Sequence, residues 1–313
     1  MINVLNEKIL KRLQKAGYKI IGKNKHSAVK LCLWTRKSIR TGEEEFCYKQ
    51  KFYGNIGIKS HRCLQMTPSF PFCTLRCAFC WRDTSITYPK WIGKEDEPED
   101  IIEKSIKAQR ELLTGLGGVS HSEKHLKEAM NPSNAAISLA GESTFYEKLS
   151  QLIEAFHKRN MKTFLVTNGT LTEKLEKLKI LPTQLYISLC SNSKEMMERV
   201  QKPLISDAWK KLNKSLELFP SLKTRKVIRL TLVKNLNMSE PEKYAKLIER
   251  ALPDFIEVKG GMAVGFSRLQ NRIKYEDMAS HEEIREFARK IENSLDYKIK
   301  DEKKDSRVVL LKK

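Results

Sequence analysis

Three cysteines lie close together in the stretch FCTLRCAFCW, residues 72–81, and they are Cys73, Cys77 and Cys80. Three more lie upstream, at Cys32, Cys47 and Cys63. Thiolates bind zinc and iron strongly, so several of them in one short turn can hold a metal ion or a metal cluster. In a chain that is predicted to be intracellular, a cysteine cluster of this kind indicates metal binding rather than disulfide bonds.

The spacing C-x3-C-x2-C favours an iron–sulfur cluster over zinc. A [4Fe–4S] cubane takes thiolates on separate irons, and one tight loop can supply three of them, which leaves the fourth iron open to another ligand. A structural zinc site needs four ligands, commonly from two C-x2–4-C pairs. No second pair exists here, because Cys32, Cys47 and Cys63 are widely spaced.

The charge of the chain indicates a polyanionic partner. Its 313 residues carry a formal net charge of +21, and neutralising phosphates with such a surplus releases condensed counterions. A generally lysine-rich composition is the alternative, although acidic residues would then be expected to rise as well. No apolar run reaches the length of a membrane helix, and the N-terminus lacks a signal peptide, so we expect a cytoplasmic protein.

The remaining chain alternates between strand and helix patterns. An amphipathic N-terminal helix is predicted from the spacing of Val4, Leu5, Ile9, Leu10 and Leu13, followed by an irregular basic stretch. Six strands are predicted: one just before Cys73, then 135–142, 162–170, 184–191, 226–235 and 254–261. Helices are predicted over 100–118, 145–159, 171–178, 193–217, 240–251 and 281–295, with a basic tail at 298–313. This order predicts βαβ units, a parallel sheet, and a site at the C-terminal strand ends.

Two further features carry less weight. His121 and His125 have i, i+4 spacing without the order of a zinc-protease helix, and we expect them on a polar loop. Cys190 ends an apolar stretch and is expected to be a small buried side chain.

The cysteine turn, with aromatic Phe79 before its last cysteine, resembles that of the radical S-adenosylmethionine (SAM) enzymes. The segments SLAGES, VTNGT and EVKGGMAVG are similar to this superfamily's later strand ends, so the resemblance covers residues 60–265 and implies a partial (β/α)6 barrel. It implies a [4Fe–4S] cluster on the turn and a bound SAM. The cofactor contacts that it implies are Phe79, Ala140, Gly141 and Glu142 near the methionyl amino group, Asn168 near the ribose or carboxylate, and Ser188 near the ribose.

The upstream segments HSAVK, CYKQKFYG and SHRCLQMTP resemble the tRNA 4-demethylwyosine synthases, in their archaeal form without a fused flavodoxin-like domain. The sequence departs from that family in reading GES for the usual GEP, and in wider spacing of the upstream cysteines. The resemblance implies a second [4Fe–4S] cluster on Cys32, Cys47 and Cys63. It also implies that a 5′-deoxyadenosyl radical activates the methyl group of 1-methylguanosine at position 37 of tRNA-Phe, which then condenses with carbons of pyruvate to close a third ring.

Lys49, two residues after Cys47, matches the lysine that this family is thought to use for a Schiff base with pyruvate. An imine requires a neutral amine, and burial or a neighbouring cation lowers the pKa of a lysine. The alternative is that Lys49 is one more phosphate-binding lysine in a basic stretch.

The expected enzyme is a carbon–carbon lyase or synthase, with residues 1–60 forming an extension and 61–313 the radical SAM core of a single compact domain. It would be a monomer that binds the anticodon stem-loop and takes electrons from a flavodoxin-type or ferredoxin-type donor. Two alternatives stay open on the sequence: another two-cluster radical enzyme such as a methylthiotransferase, and a non-enzymatic, basic zinc-binding RNA module.

Overall fold

The computed structural model describes residues 5–313, so Val4 of the predicted N-terminal helix lies outside the described residues. The chain forms two compact units whose segments interleave. The first unit contains the described residues up to Phe72, together with Lys90–Leu165 and Leu178–Thr183. The second contains Cys73–Pro89, Val166–Lys177 and Gln184–Lys313. The division at residue 60 that the sequence suggested stays a prediction.

The first unit combines antiparallel and parallel strands. The strands are β1 (Lys19–Ile21), β2 (Ser27–Val29), β3 (Cys63–Thr67), β4 (Asn134–Ile137) and β5 (Lys162–Thr167). β1 pairs antiparallel with β2, and β2 pairs antiparallel with β3. β3, β4 and residues 162–165 of β5 then run parallel. The parallel strands are short, apolar and buried, as strands covered on both faces must be.

Six helices belong to the first unit: α1 (Glu7–Lys15), α2 (Leu33–Arg40), α3 (Tyr48–Tyr53), α4 (Pro98–Thr114), α5 (Glu123–Ala129) and α6 (Leu149–Lys158). Helix α1 begins where the Asn6 side chain accepts a hydrogen bond from the Ile9 amide at 2.9 Å. Helix α4 begins with a proline and buries Ile101, Ile102 and Leu113. The predicted apolar faces of both helices therefore supply core contacts.

The second unit carries the rest of the βα series. Its strands are β6 (Gln184–Ser188), β7 (Arg225–Leu232), β8 (Phe255–Gly260), β9 (Lys298–Lys303) and β10 (Val308–Lys312). Its helices are α7 (Thr172–Glu176), α8 (Lys194–Met196), α9 (Ala208–Leu218), α10 (Lys234–Asn237), α11 (Pro241–Ala251), α12 (Phe266–Leu269) and α13 (His281–Ser294). β6, β7 and β8 run parallel, while β10 pairs antiparallel with both β8 and β9.

The predicted α/β class is confirmed, and strands β3 to β8 form in the regions where six strands were predicted. None of the helices in residues 5–313 is long and apolar enough to cross a membrane.

Two local predictions were wrong, and the basic tail has a conformation that the sequence analysis did not predict. The basic tail forms the hairpin β9–β10, because the apolar run Val308–Leu311 is buried against β8. The stretch holding Cys32 and Cys47 is not irregular, since each cysteine directly precedes a short helix. The single helix expected over 193–217 is interrupted: a π-helical segment, Met197–Gln201, ends before Pro203, which has no amide hydrogen to continue a helix.

Candidate active site

The cysteine turn of the second unit is fixed by backbone hydrogen bonds. The Cys73 amide donates to the Tyr88 carbonyl at 2.9 Å, and the Cys80 amide donates to the Cys77 carbonyl at 3.1 Å. Between them, the Ala78 amide donates to the carbonyl of Val200 in the π-helical segment at 2.8 Å. The turn therefore has a defined shape that does not depend on its sulfur atoms.

The thiols of this turn share one electrostatic environment. Burial raises the pKa of the Cys77 thiol well above its usual value, and the neighbouring Cys80 and Cys73 raise it further. The buried Arg82 guanidinium opposes this rise. Although burial disfavours its charge, the pKa of Arg82 is itself raised by Cys80 and Cys73. Three converging thiols beside a buried cation suit a metal cluster, which takes up thiolates and releases their protons.

Arg272 holds the same turn from outside. Its guanidinium donates to the carbonyl oxygens of Cys77 (2.8 Å), Ala78 (3.2 Å), Cys80 (2.7 Å) and Arg82 (3.0 Å). Sequence reasoning did not find Arg272, because it lies in a charged loop, RIKYED, without a recognisable motif. Its planar set of donors matches several carbonyls at once, which a lysine cannot do.

The upstream cysteines converge in the first unit. Cys32 precedes α2, Cys47 precedes α3, and Cys63 is the first residue of β3. Burial raises the pKa of the Cys63 thiol to about 12; Cys32 and Cys47 raise it as well, while Lys49 lowers it. The tertiary structure thus brings together three thiols and one ammonium group that are spread over residues 32–63 of the chain.

Each trio offers three thiols, whereas a structural zinc site has four protein ligands. Thiolates bound to a single zinc at ~2.3 Å lie about 3.8 Å apart. Within residues 5–313, only one set of three His, Cys, Asp or Glu side chains has all its ligand atoms within 4.8 Å of one another, and it contains no cysteine.

Lys49 lies in the first turn of α3, two residues after Cys47. Its Nζ atom is 4.9 Å from the ring centroid of Phe164, a buried residue of β5. The ammonium is close enough to Cys63 to lower the pKa of that thiol. The Lys49 side chain is half-buried and lies near the upstream cysteines.

The segment Ala140-Gly141-Glu142 follows β4 and adopts a conformation that only glycine allows at its centre. Gly141 has φ +74°, and a β-carbon there would lie 2.6 Å from the carbonyl oxygens of both Phe72 and Ser69. The Glu142 amide donates to the Phe72 carbonyl at 2.7 Å, and the buried Glu142 carboxylate accepts from the Thr144 hydroxyl at 2.8 Å. The backbone of Glu142 is thus hydrogen-bonded to Phe72, the residue that precedes Cys73 in the chain.

Asn168 follows β5 and contacts the cysteine turn itself. Its Nδ2 atom donates to the Thr74 hydroxyl at 2.9 Å and lies 3.8 Å from the Cys73 sulfur. Its Oδ1 atom accepts from the Thr170 amide and hydroxyl at 3.0 and 2.7 Å. The hydroxyl oxygens of Thr74 and Thr170 are 2.6 Å apart, so the three side chains form one hydrogen-bonded network.

The last two predicted contacts have different surroundings. Ser188 is the half-buried final residue of β6, the position expected for a contact at a strand end. Phe79 is partly buried and packs against Val233, Ala263 and Ile273. Each unit therefore gathers part of the predicted set, and the role of each residue stays a prediction.

Comparisons with known proteins agree with this arrangement. The family model for the radical SAM superfamily matches residues 67–248, more than half of the chain, and defines its class. A second model, described as wyosine base formation, matches residues 250–313. An S-adenosyl-L-methionine-dependent tRNA 4-demethylwyosine synthase from Pyrococcus abyssi is 48% identical over 97% of this chain and 88% of that protein. The chain belongs to this family of synthases, and neither of the alternatives left open above is supported.

Two solved structures are similar over nearly the whole chain. One is described as TYW1 with a lysine–pyruvate adduct bound; it has a TM-score of 0.86, is 41% identical, and the match covers 99% of this chain and 96% of that one. The other is an archaeal TYW1 with a TM-score of 0.78 and 37% identity, covering 98% and 96%. The fold is therefore that of the radical SAM enzymes of this family.

Proposed function

We propose that this protein converts 1-methylguanosine in tRNA-Phe into tricyclic 4-demethylwyosine, taking the additional carbons from pyruvate. The family membership supports the reaction class, and the lysine–pyruvate adduct of the TYW1 structure supports the donor. The observation that carries the proposal for this chain is Lys49, half-buried beside Cys47 and Cys63.

Members of this class use SAM and a [4Fe–4S] cluster, which together supply a 5′-deoxyadenosyl radical. We assign the cluster to Cys73, Cys77 and Cys80, whose turn has a defined backbone. A second [4Fe–4S] cluster is proposed on Cys32, Cys47 and Cys63, because these three thiols lie close enough to affect one another's protonation. Phe79, Ala140, Gly141, Glu142, Asn168 and Ser188 are proposed to orient SAM.

Lys49 is proposed to bind pyruvate covalently. Its neutral Nζ atom adds to the carbonyl carbon, water leaves, and the C=O bond is replaced by C=N. The Phe164 ring, 4.9 Å from Nζ, would shield one side of the imine from water.

The substrate is proposed to be the anticodon stem-loop, held by the positive charge of a chain with net charge +21. A flavodoxin-type or ferredoxin-type protein is proposed as electron donor. We further propose a monomer that acts in the cytoplasm.

The test is an anaerobic assay of reconstituted protein with SAM, a strong reductant and tRNA-Phe bearing 1-methylguanosine, with and without pyruvate. Digestion to nucleosides and mass spectrometry should detect a tricyclic product that requires pyruvate. Cys77→Ala and Cys47→Ala should abolish it, whereas Cys190→Ala, which changes a buried thiol outside both trios, should not. If 5′-deoxyadenosine forms while the guanosine stays unchanged, the proposed substrate is wrong.

A further inference from the structure

A second group of metal-ligating side chains lies in the first unit, outside the proposed active site. Glu43 belongs to the connection between α2 and α3, His61 lies two residues before Cys63, and His125 is in α5. Their ligand atoms all lie within 4.8 Å of one another. His125 is thus not on the polar loop that the sequence suggested; Ser122 begins α5 by accepting a hydrogen bond from the His125 amide, and this helix carries the imidazole inward.

The hydrogen bonds of His61 determine which of its nitrogens can bind a cation. Its Nε2 atom lies 2.7 Å from the Glu128 carboxylate and therefore carries the proton of the neutral ring. The Nδ1 atom then presents a lone pair, is enclosed by protein, and has no hydrogen-bond partner. It lies 3.4 Å from a carboxylate oxygen of Glu43, which also presents a lone pair. The Glu43 oxygen also accepts from Gln50, but the Nδ1 atom of a side chain that is 0% exposed has no donor, and a cation between the two atoms would stabilise both.

His125 completes the geometry. Its Nδ1 atom lies 2.8 Å from the Ser122 hydroxyl, and its Nε2 atom lies 3.4 Å from the second oxygen of Glu43. The two imidazole rings are edge to face, with centroids 4.7 Å apart. Two ligands bound to zinc at ~2.0–2.1 Å in a tetrahedron lie about 3.3 Å apart, close to the distance from each imidazole nitrogen to its nearer Glu43 oxygen, so a cation here would bind the carboxylate through one or both oxygens.

We propose that Glu43, His61 and His125 bind a divalent cation of the zinc class, with water in the fourth position. Two imidazoles and one carboxylate form a common ligand set for zinc. Glu128 acts from outside by accepting the Nε2 proton of His61, an arrangement that orients histidine ligands and raises their basicity. The Lys59 ammonium, 3.4 Å from both oxygens of Glu43, competes with the metal, but its side chain is 48% exposed and can move into solvent.

The site is connected to the upstream cysteines by hydrogen bonds. The Gln50 side chain donates to Glu43 at 2.9 Å and accepts from the Ser60 amide at 2.7 Å. The Ser60 hydroxyl accepts from the Cys47 amide at 2.8 Å. A cation at Glu43 would hold the segments that carry Cys47 and Cys63 together. This structural role goes beyond the proposed reaction and does not depend on it.

The test uses anaerobic protein with its iron–sulfur clusters reconstituted, so that the cysteines are occupied. After addition of one equivalent of zinc(II) and gel filtration, zinc and iron are counted per chain, and zinc K-edge absorption identifies the ligands. The proposal predicts about one zinc per chain with only nitrogen and oxygen ligands at ~2.0–2.1 Å. His125→Ala and Glu43→Gln should lose the zinc and keep their iron, which shows that the fold persists.

His121→Ala is the matched control, because His121 precedes the same helix, and its Nδ1 atom contacts the Val119 carbonyl instead of the site. This variant should retain zinc like the unchanged protein. Absence of retained zinc would overturn the proposal and assign His61 as a protonated ring between two carboxylates. Zinc with sulfur ligands at ~2.3 Å, or zinc retained by His125→Ala, would overturn it as well.

Discussion

Arg272 donates a hydrogen bond to the backbone carbonyl of Cys80 at 2.7 Å, although 192 residues separate them in the chain. The same guanidinium reaches the Cys77 carbonyl at 2.8 Å. Carbonyls that face inward from a tight turn need donors, and here one side chain supplies them. The shape of the cysteine turn therefore depends on a residue far from the motif.

We expect Arg272→Ala to weaken the cluster on this turn. Hydrogen bonds to a charged donor contribute ~1.5–3 kcal/mol each, so the loss of several should cost about 3 kcal/mol or more of folding free energy. Iron per chain and the yield of 5′-deoxyadenosine from SAM should both fall. Arg268→Ala is the control, because this exposed arginine stacks on Tyr275 and does not reach the turn. Equal iron content in the two variants would contradict the positioning role.

Gly141→Ala should destabilise the protein and weaken SAM binding. A β-carbon at φ +74° and 2.6 Å from two carbonyl oxygens forces the segment before Glu142 to move, at a cost of about 2 kcal/mol or more. Chemical unfolding and SAM titration measure the two effects.

Gly115→Ala is the matched control for this variant. Gly115 ends α4 with a helical backbone, and a β-carbon there would meet nothing closer than 3.9 Å. This change should leave stability unchanged or slightly increased. A Gly141→Ala variant as stable as the control would show that the contact with Phe72 and Ser69 is not a tight one.

The buried His26 predicts a loss of stability at acid pH. Its Nδ1 atom donates to the Pro68 carbonyl at 2.6 Å, and its Nε2 atom accepts from the Asp96 amide at 2.7 Å, so the ring is neutral. Burial lowers the pKa of His26 from 6.5, although the Pro68 carbonyl and the Asp96 carboxylate, 3.4 Å away, oppose this.

Because the folded-state pKa is the lower one, the unfolded chain takes up the proton first as the pH falls. The stability contributed by the neutral ring is present above pH ~6.5 and is lost as the pH falls through the folded-state pKa. Thermal unfolding midpoints should therefore decrease between pH 7.5 and 5.5, and they should decrease less steeply in His26→Gln. The same slope in both proteins would rule out His26 as the origin.

Lys49 should be the residue that borohydride links to pyruvate. Reduction converts the imine to a stable secondary amine, which peptide mass spectrometry can locate. Lys49→Arg should remove the adduct and the tricyclic product while leaving pyruvate-independent formation of 5′-deoxyadenosine. Lys51→Arg, on the same helix, is the control and should keep both. An adduct on Lys51, or none in the unchanged protein, would contradict the assignment.

The sequence by itself determined the chemistry that the chain can perform. The spacing of Cys73, Cys77 and Cys80 predicts a cluster turn, and the alternation of apolar runs with helical patterns identified the positions of strands β3 to β8. These features are local: thiol spacing and side-chain periodicity are properties of neighbouring residues. Gly141 was selected through the resemblance of the segment SLAGES to a strand-end motif of the superfamily.

Only the tertiary structure decided which distant residues support that chemistry. No sequence motif marks Arg272, because its importance comes from backbone carbonyls in the cysteine turn, which is distant in sequence. Glu43, His61 and His125 come from a loop, a strand entry and a helix, and no spacing relates them. The strand β9 could not be predicted from its charged residues, because its conformation comes from pairing with the buried β10.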